Sequence, residues 1–249
     1  MTADSGIRAA EERAIRARLQ EVARPDSRFQ FDLDCFIPDF PGSADAARRV
    51  RNHPAYSGSQ LVFATPDNAL LPMREMLLAD GKMLIIPSYG LSQGFLLMDP
   101  KTIPADACRY AAWLDGVQHF GTTITLAEMA RLPLIDFCVV GAAAVASNGT
   151  RFGMGYHYFD VEWALLTGAG LTDPDAPVIV PVHDCQLSDA DVPPSRAHVG
   201  ATMIVTPSGE VAAPALLAPR PSTLDAVIIP PELSDVEVVR EYRAIVGQA

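Results

Sequence analysis

The sequence predicts an α/β fold with a mainly parallel sheet. Three observations carry that prediction. Short apolar runs rich in Val and Ile alternate with helical segments along most of the chain. Two of these runs, Gln60–Thr65 and Lys82–Pro87, flank a helical stretch at Leu70–Ala79, which is the pattern of a βαβ unit with parallel strands and a right-handed crossover. A third run, Ile135–Val145, is apolar apart from Asp136 and leads through a glycine-bearing loop into a helix.

The elements follow in order. Residues 5–23 read as an amphipathic helix, with Ile7, Ala14, Ile15, Leu19 and Val22 at helical spacing and Pro25 just beyond. A helix restarts at Ser43–Val50, with Ser43 expected as its N-cap. The Leu70–Ala79 helix stops at Asp80-Gly81, a C-terminal glycine signal. A strand is expected at Gly94–Met98, a helix at Pro104–Leu114 and a helical turn at Leu126–Ala130. Pro177–Val182 is a strand running into His183-Asp184, and Met203–Thr206 is read as the last strand. Residues 1–208 are expected to form a single α/β domain, with 1–24 its N-terminal helix. Residues 209–249, rich in Pro and Ala, are expected to be an appendage along the surface, ending in a helix at Val236–Val246 and available for a homodimer contact.

Composition narrows the function classes. A net charge of -11 argues against a nucleic-acid partner, because phosphates demand a basic face. No apolar run approaches a membrane span, and the charged N-terminus does not read as a signal peptide. Four scattered cysteines without CxxC spacing point away from structural zinc and toward a reduced, cytoplasmic protein. The basic side chains are nearly all arginine; Lys82 and Lys101 are the two lysines.

Function is sought first in the stretch around 135–163. After Ser147-Asn148-Gly149, a turn signal, comes Arg151-Phe-Gly153-Met-Gly155-Tyr156-His157-Tyr158-Phe-Asp160, and Val161–Leu166 looks helical. A strand, a glycine loop and a helix N-terminus together let backbone N–H groups face an anion. Ligand sites in such sheets lie beyond the carboxyl ends of the strands, so loops 66–68, 87–93, 147–160 and 183–198 are expected to converge. Asp160 and Glu162 read either as site carboxylates or as acidic residues favoured by the helix dipole. Cys185 beside His183-Asp184 raises the question of a nucleophile, although neighbours on a strand end point apart.

The loop Arg151–Asp160 resembles the R-x-G-x-G-x-G-Y-x-D loop of the 5-formyltetrahydrofolate cyclo-ligase family. The resemblance extends over residues 36–207, and is closest to the methenyltetrahydrofolate synthetase domain-containing branch. It runs through IPDFPGSADAARRV, ATPDNALLPMREMLLADGKML, IDFCVVGAAAVASNGTRFG, YFDVEWALL, VHDCQLSDADVPP and MIVTP. The resemblance implies a three-layer α/β/α fold like that of CoA transferases and ribose-5-phosphate isomerase. It also implies a reaction in which ATP and Mg²⁺ close 5-formyltetrahydrofolate to 5,10-methenyltetrahydrofolate, with folate or a similar N-heterocycle as the small-molecule partner. Carried over by position, Arg151, Gly153, Gly155, Tyr156, His157 and Tyr158 would lie along bound phosphate. Asp160 would face the metal or cap the helix, and Arg151, Asp160, His183 and Asp184 are the catalytic candidates.

Departures from the branch pattern sit at the chemistry. Met154 stands where the branch usually has lysine, and His157 replaces the third glycine of the loop. His198 and Thr202 replace carboxylates. These changes bring histidines toward the expected site. His157, His183 and His198 with Asp160 and Glu162 would suit Zn²⁺, Mn²⁺ or Fe²⁺ rather than Mg²⁺. Three readings therefore stand: a cyclo-ligase-like enzyme, a metal-dependent hydrolase or lyase without ATP, and a non-catalytic anion-binding protein.

Overall fold

A computed structural model describes residues 3–26, 30, 32–190, 192–213 and 220–247. Of the stretch expected to be an appendage, residues 214–219 and 248–249 lie outside that description. The strands are β1 (Leu61–Ala64), β2 (Met83–Pro87), β3 (Phe95–Met98), β4 (Thr122–Ile124), β5 (Phe137–Val139), β6 (Ala144–Ala146), β7 (Arg151–Phe152), β8 (Val178–Pro181), β9 (Leu187–Ser188), β10 (Met203–Val205) and β11 (Glu210–Ala212). The helices are α1 (Ala3–Val22), α2 (Ser43–Arg51), α3 (Pro54–Gly58), α4 (Leu71–Ala79), α5 (Cys108–Ala111), α6 (Leu114–Phe120), α7 (Leu126–Met129), α8 (Tyr156–Gly168) and α9 (Glu237–Val246).

Eight strands form the main sheet in the order β11-β10-β8-β5-β1-β2-β3-β4. Its centre, β10-β8-β5-β1-β2, is parallel, while β3, β4 and β11 are added antiparallel at the edges. Strand periodicity sorts the side chains into two cores. Leu61, Phe63 and Ile85 pack on one face with residues of α7, α8 and α9. Val62, Leu84 and Ile86 pack on the other with residues of α2, α4, α5 and α6. The architecture is a three-layer α/β/α sandwich. Both faces being buried is why the central strands read as unbroken apolar runs, and each fully buried Leu, Ile or Phe stabilises the fold by about 1.5–3 kcal/mol.

Four details differ from the sequence expectation. The run Ile135–Val145 is two strands: β5 lies in the main sheet, and β6 joins β7 and β9 in a small second sheet. Helix α2 is capped by Gly42 in the left-handed conformation, and Ser43 is buried inside the helix. The helix expected at Pro104–Leu114 is a 3-10 turn and the short α5, with α6 following separately. Beyond Met203–Val205 there is a further strand, β11, and α9 buries Val238, Val239 and Tyr242 in the main core. Helix α1 lays Ile15 against Ala144, Ala146 and Phe152 of the small sheet.

Candidate functional site

β1 and β5 are neighbours whose chains depart to opposite sides, so the sheet order reverses between them. A cleft of about 280 Å³ opens at their carboxyl ends. Its walls include Phe36, Pro66, Tyr89, Leu114, Met154, Tyr158 and Phe159, and its polar groups include Asp67, Arg151 and Glu162. The loops after β1, β2 and β5 and the β7–α8 segment thus converge as expected. None of the described residues in 183–198 lines this cleft.

The glycine segment folds more tightly than its sequence suggests. Ser147–Gly149 turns a hairpin between β6 and β7, so Arg151 is a strand residue. Gly153 has φ +89°, and Gly155, at φ +76°, is the left-handed N-cap of α8. A Cβ on Gly155 would meet nothing within 4 Å, so it is the backbone conformation that favours glycine there. The helix starts at Tyr156, five residues before the expected Val161. Asp160 and Glu162 consequently fall beyond its first turn, and neither caps it.

Arg151 is almost fully buried and its donors turn inward. Nε donates to Val199 O at 2.9 Å, Nη1 to Tyr156 O at 3.2 Å and Nη2 to Asp160 Oδ1 at 2.6 Å. The guanidinium also lies over the Phe159 ring, 4.8 Å from its centroid. Asp160 is fully buried, and its Oδ1 also accepts from Val199 N at 2.9 Å. Its Oδ2 lies 2.8 Å from His198 Nδ1 and 3.9 Å from His157 Nδ1. The pair therefore clamps β7, α8 and the segment at 199 together. His157 stacks on Tyr156 with centroids 3.7 Å apart and sits 5.0 Å from the His198 ring. Burial lowers the His157 pKa, with His198 adding to the effect and Asp160 opposing it.

Of the five residues expected as metal ligands, three meet. His157, Asp160 and His198 each offer a ligand atom within 4.8 Å of the others. His183 and Glu162 are not in that group. The Arg151 guanidinium already neutralises Asp160 there, which opposes a second cation. His183 instead packs against Phe40 and accepts from Cys185 N through Nδ1. Asp184 accepts from Ser208. His183 Nδ1 does reach Cys185 Sγ, at 3.1 Å, contrary to the expectation that the two point apart. Burial nonetheless pushes the Cys185 thiol up, which disfavours the thiolate a nucleophile needs.

An anion fits the start of α8 in part. In the first turn of this 13-residue helix Tyr158 N donates to Gly155 O, while the N–H groups of Tyr156 and His157 precede the first intrahelical bond, and Arg8 of α1 reaches the Tyr156 side chain. Lys82 donates to Ser59 O, away from the loop, and the Glu12 side chain lies over Gly153 while paired with Arg16.

Sequence reasoning did not single out Asp67 or Arg74. Asp67 Oδ2 accepts from Thr65 Oγ1 at 2.5 Å, and Thr65 Oγ1 in turn accepts from Gly141 N. A Cβ on Gly141 would lie 2.3 Å from Asp67 Oδ2, so glycine leaves room for the carboxylate. Arg74 is fully buried and donates to the carbonyls of Thr65, Asp67 and Ala112, fixing the loop from below. Its signal was a charge among Leu70, Met73, Leu77 and Leu78, on the apolar face of α4. Asp67 is only partly shielded from the cleft, yet the protein around it pushes its carboxyl pKa up, opposed by Thr65 and Arg74. Glu162 is 4% exposed, and its Oε2 has no hydrogen-bond partner among the described residues. Desolvation, with the Asp67 charge adding to it, raises its pKa to about 8.

The sequence profile of the 5-formyltetrahydrofolate cyclo-ligase family matches residues 2–207. The chain belongs to that family. The human methenyltetrahydrofolate synthase domain-containing protein is 30% identical over 217 residues, 86% of this chain and 56% of that protein. The mouse protein of the same name is 32% identical over 155 residues, 61% of this chain and 41% of its own length. The chain thus spans about half the length of the curated relatives it matches. An NMR structure of Aquifex aeolicus 5,10-methenyltetrahydrofolate synthetase superposes with a TM-score of 0.49 at 15% identity, covering 86% of this chain and 94% of that one. Among the described residues no helix is long and apolar enough to cross a membrane.

Proposed function

We propose that this cyclo-ligase family member is an enzyme acting on 5-formyltetrahydrofolate or a related N-heterocycle, closing the ring to the 5,10-methenyl form. The observation that carries the reading is the cleft at the β5/β1 reversal. It has aromatic and aliphatic walls for a flat heterocycle and a few polar groups at its base, and the start of α8 lies beside it. When bound, ATP and Mg²⁺ supply phosphorylation of the formyl oxygen, which makes that oxygen a leaving group for the attacking ring nitrogen. The N–H groups of Tyr156 and His157 at the start of α8, with Arg8, would hold phosphate. Asp160 is saturated by its own donors, so Mg²⁺ would rest on phosphate oxygens and water, its usual preference. Arg151 positions the helix start rather than gripping phosphate. His183 and Asp184, away from the cleft, take no part.

The metal-dependent hydrolase or lyase reading rests on the His157–Asp160–His198 group alone. The buried guanidinium at Asp160 already supplies the positive charge a metal would bring, and family membership points elsewhere. The test is turnover of 5-formyltetrahydrofolate with ATP and Mg²⁺, followed by absorbance of the methenyl product. Turnover that needs ATP supports the proposal. Its absence at high enzyme concentration, together with no binding of the folate by calorimetry, rules it out.

A further inference from the structure

Helix α1 runs along the glycine segment and sets two opposite charges against it. Positions 8, 12, 15 and 19 recur at helical spacing and form one stripe of α1. Ile15 and Leu19 are buried and seat that stripe, Ile15 on the small sheet and Leu19 on Leu33 and Phe36. Arg8 reaches the Tyr156 side chain and donates to Pro193 O at 2.6 Å, which fixes it at the start of α8. Glu12 follows about one turn later, roughly 5 Å along the axis. It lies over the turn at Gly153, where a Cβ would stand 3.3 Å from the Glu12 Cγ and Cδ.

Arg16 does not cancel this acid. Its guanidinium pairs with Glu12 Oε1 at 2.8 Å and also with Asp34, so the three side chains together carry one net negative charge. Met154, beside Gly153, brings no cation, and Lys82 is turned to Ser59 O elsewhere. Glu11, next in sequence, is directed to another place, where it accepts from Ser188 Oγ at 2.9 Å. An anion held by Tyr156 N, His157 N and Arg8 therefore has a carboxylate about one helical turn away. Glu12 is partly buried, so solvent and salt screen the repulsion incompletely.

We propose that Glu12 is a charge filter on the glycine loop, which disfavours a free polyphosphate and admits one whose charge is lowered by a divalent cation. The proposal rests on the phosphate site read above and gives Glu12 a specificity role there. Discrimination of this kind needs a repulsive element as well as an attractive one, and Glu12 and Arg8 supply the two. A free triphosphate presents its full charge to the carboxylate. The same chain carrying Mg²⁺ presents two charges fewer, and the cation's own preference is for oxygen neighbours. Glu12 thus ties binding of the phosphate donor to the presence of the cation.

The test uses the full chain and inorganic tripolyphosphate, titrated by calorimetry at about 0.15 M salt, once with excess Mg²⁺ and once with EDTA. The wild type should bind the magnesium form about tenfold or more tighter than the free form. Glu12→Gln keeps the shape and an acceptor for Arg16. It should bind the free form about fivefold or more tighter than the wild type does, and the magnesium form within about twofold, so that the preference collapses. Glu11→Gln removes the same charge from the adjacent position and should keep the wild-type preference. Equal binding of both forms by the wild type, binding of neither, or a preference that survives Glu12→Gln would overturn the filter. So would a preference lost equally in Glu11→Gln, which would make it an effect of net charge alone. A Glu12→Gln protein that loses the magnesium form instead would make Glu12 a ligand of the cation and overturn it likewise. The enzyme reading fails separately: a wild type that shows the filter but does not turn over 5-formyltetrahydrofolate with ATP keeps this role for Glu12 and loses that activity.

Discussion

Asp160→Asn isolates what the buried ion pair contributes. The amide keeps an oxygen where Oδ1 accepts from Arg151 and Val199 N. Its nitrogen replaces Oδ2 opposite His198 Nδ1, and a change of imidazole tautomer lets that nitrogen accept. Shape and hydrogen-bond count survive. What disappears is the charge opposing a guanidinium that is 2% exposed. Leaving one member of a buried pair uncompensated costs about 3–5 kcal/mol. For a chain of this size that lowers Tm by roughly 6–20 °C. Urea unfolding should show the same loss as a lower midpoint at unchanged slope.

Glu162 modulates the loss. With the Asp160 charge gone, Glu162 ionises more readily beside Arg151, so the penalty should be smaller at pH 8 than at pH 6. Arg151→Met removes the cation instead, and in the double variant neither charge is stranded. The double variant should therefore be at least about 2 kcal/mol more stable than the two single losses added together. Additive losses, or an Asp160→Asn protein within about 1 kcal/mol of wild type, would refute the clamp.

Arg151→Lys should act through stability rather than through ligand affinity, since lysine cannot copy a fork that bonds Val199, Tyr156 and Asp160 at once; denaturation and ligand titration of the same sample separate the two. Gly155→Ala should cost about 1–2 kcal/mol from its left-handed backbone alone, without steric conflict, as read by thermal unfolding. Gly141→Ala should displace the Asp67 carboxylate and weaken heterocycle binding at least tenfold in calorimetry. Glu162 sets a pH dependence: its native pKa, about 8, lies above the ordinary 4.5, so the native state holds a proton that the unfolded chain releases between those values. That contribution is intact below about pH 4.5 and is lost as pH rises toward 8, at most about 5 kcal/mol, and Glu162→Gln should flatten this slope in urea titrations across the range.

Much of the fold was legible because it follows from patterns of period and turn. The βαβ unit from β1 to β2 appears where Val, Ile and Leu runs flank a helical segment ended by Gly81. The break between β5 and β6 was harder, since after Asp136 the run FCVVGAAAVA is apolar without interruption. Its one signal was Gly141, and an isolated glycine in a strand pattern often marks close approach of another group. Here that group is the Asp67 carboxylate, a contact distant in sequence and invisible to any local pattern. The start of α8 was placed late because Gly155-Tyr-His-Tyr lacks a capping side chain; the left-handed glycine does that work through the backbone. The site was legible as a region but not as roles. Sequence placed Arg151 and Asp160 together at an anion loop, whereas packing turned both inward.

That inward turn bears on how the motif transmits function. Arg151 and Asp160 are its two charged positions, and in this chain both complete a structural requirement: a buried cation needs a buried anion. Selection for the fold alone would keep them. Their presence therefore argues for membership in the family more strongly than for the family's phosphate chemistry. The residues free to report on chemistry are those the fold does not need. Glu162 is the clearest, because a buried acid without a partner for Oε2 among the described residues destabilises the chain that carries it, whereas an apolar side chain such as leucine avoids that cost. A destabilising residue at the base of a cleft is what a binding site leaves behind in the structure. For this reason the substrate is better sought through Glu162 and Asp67 than through the glycine loop.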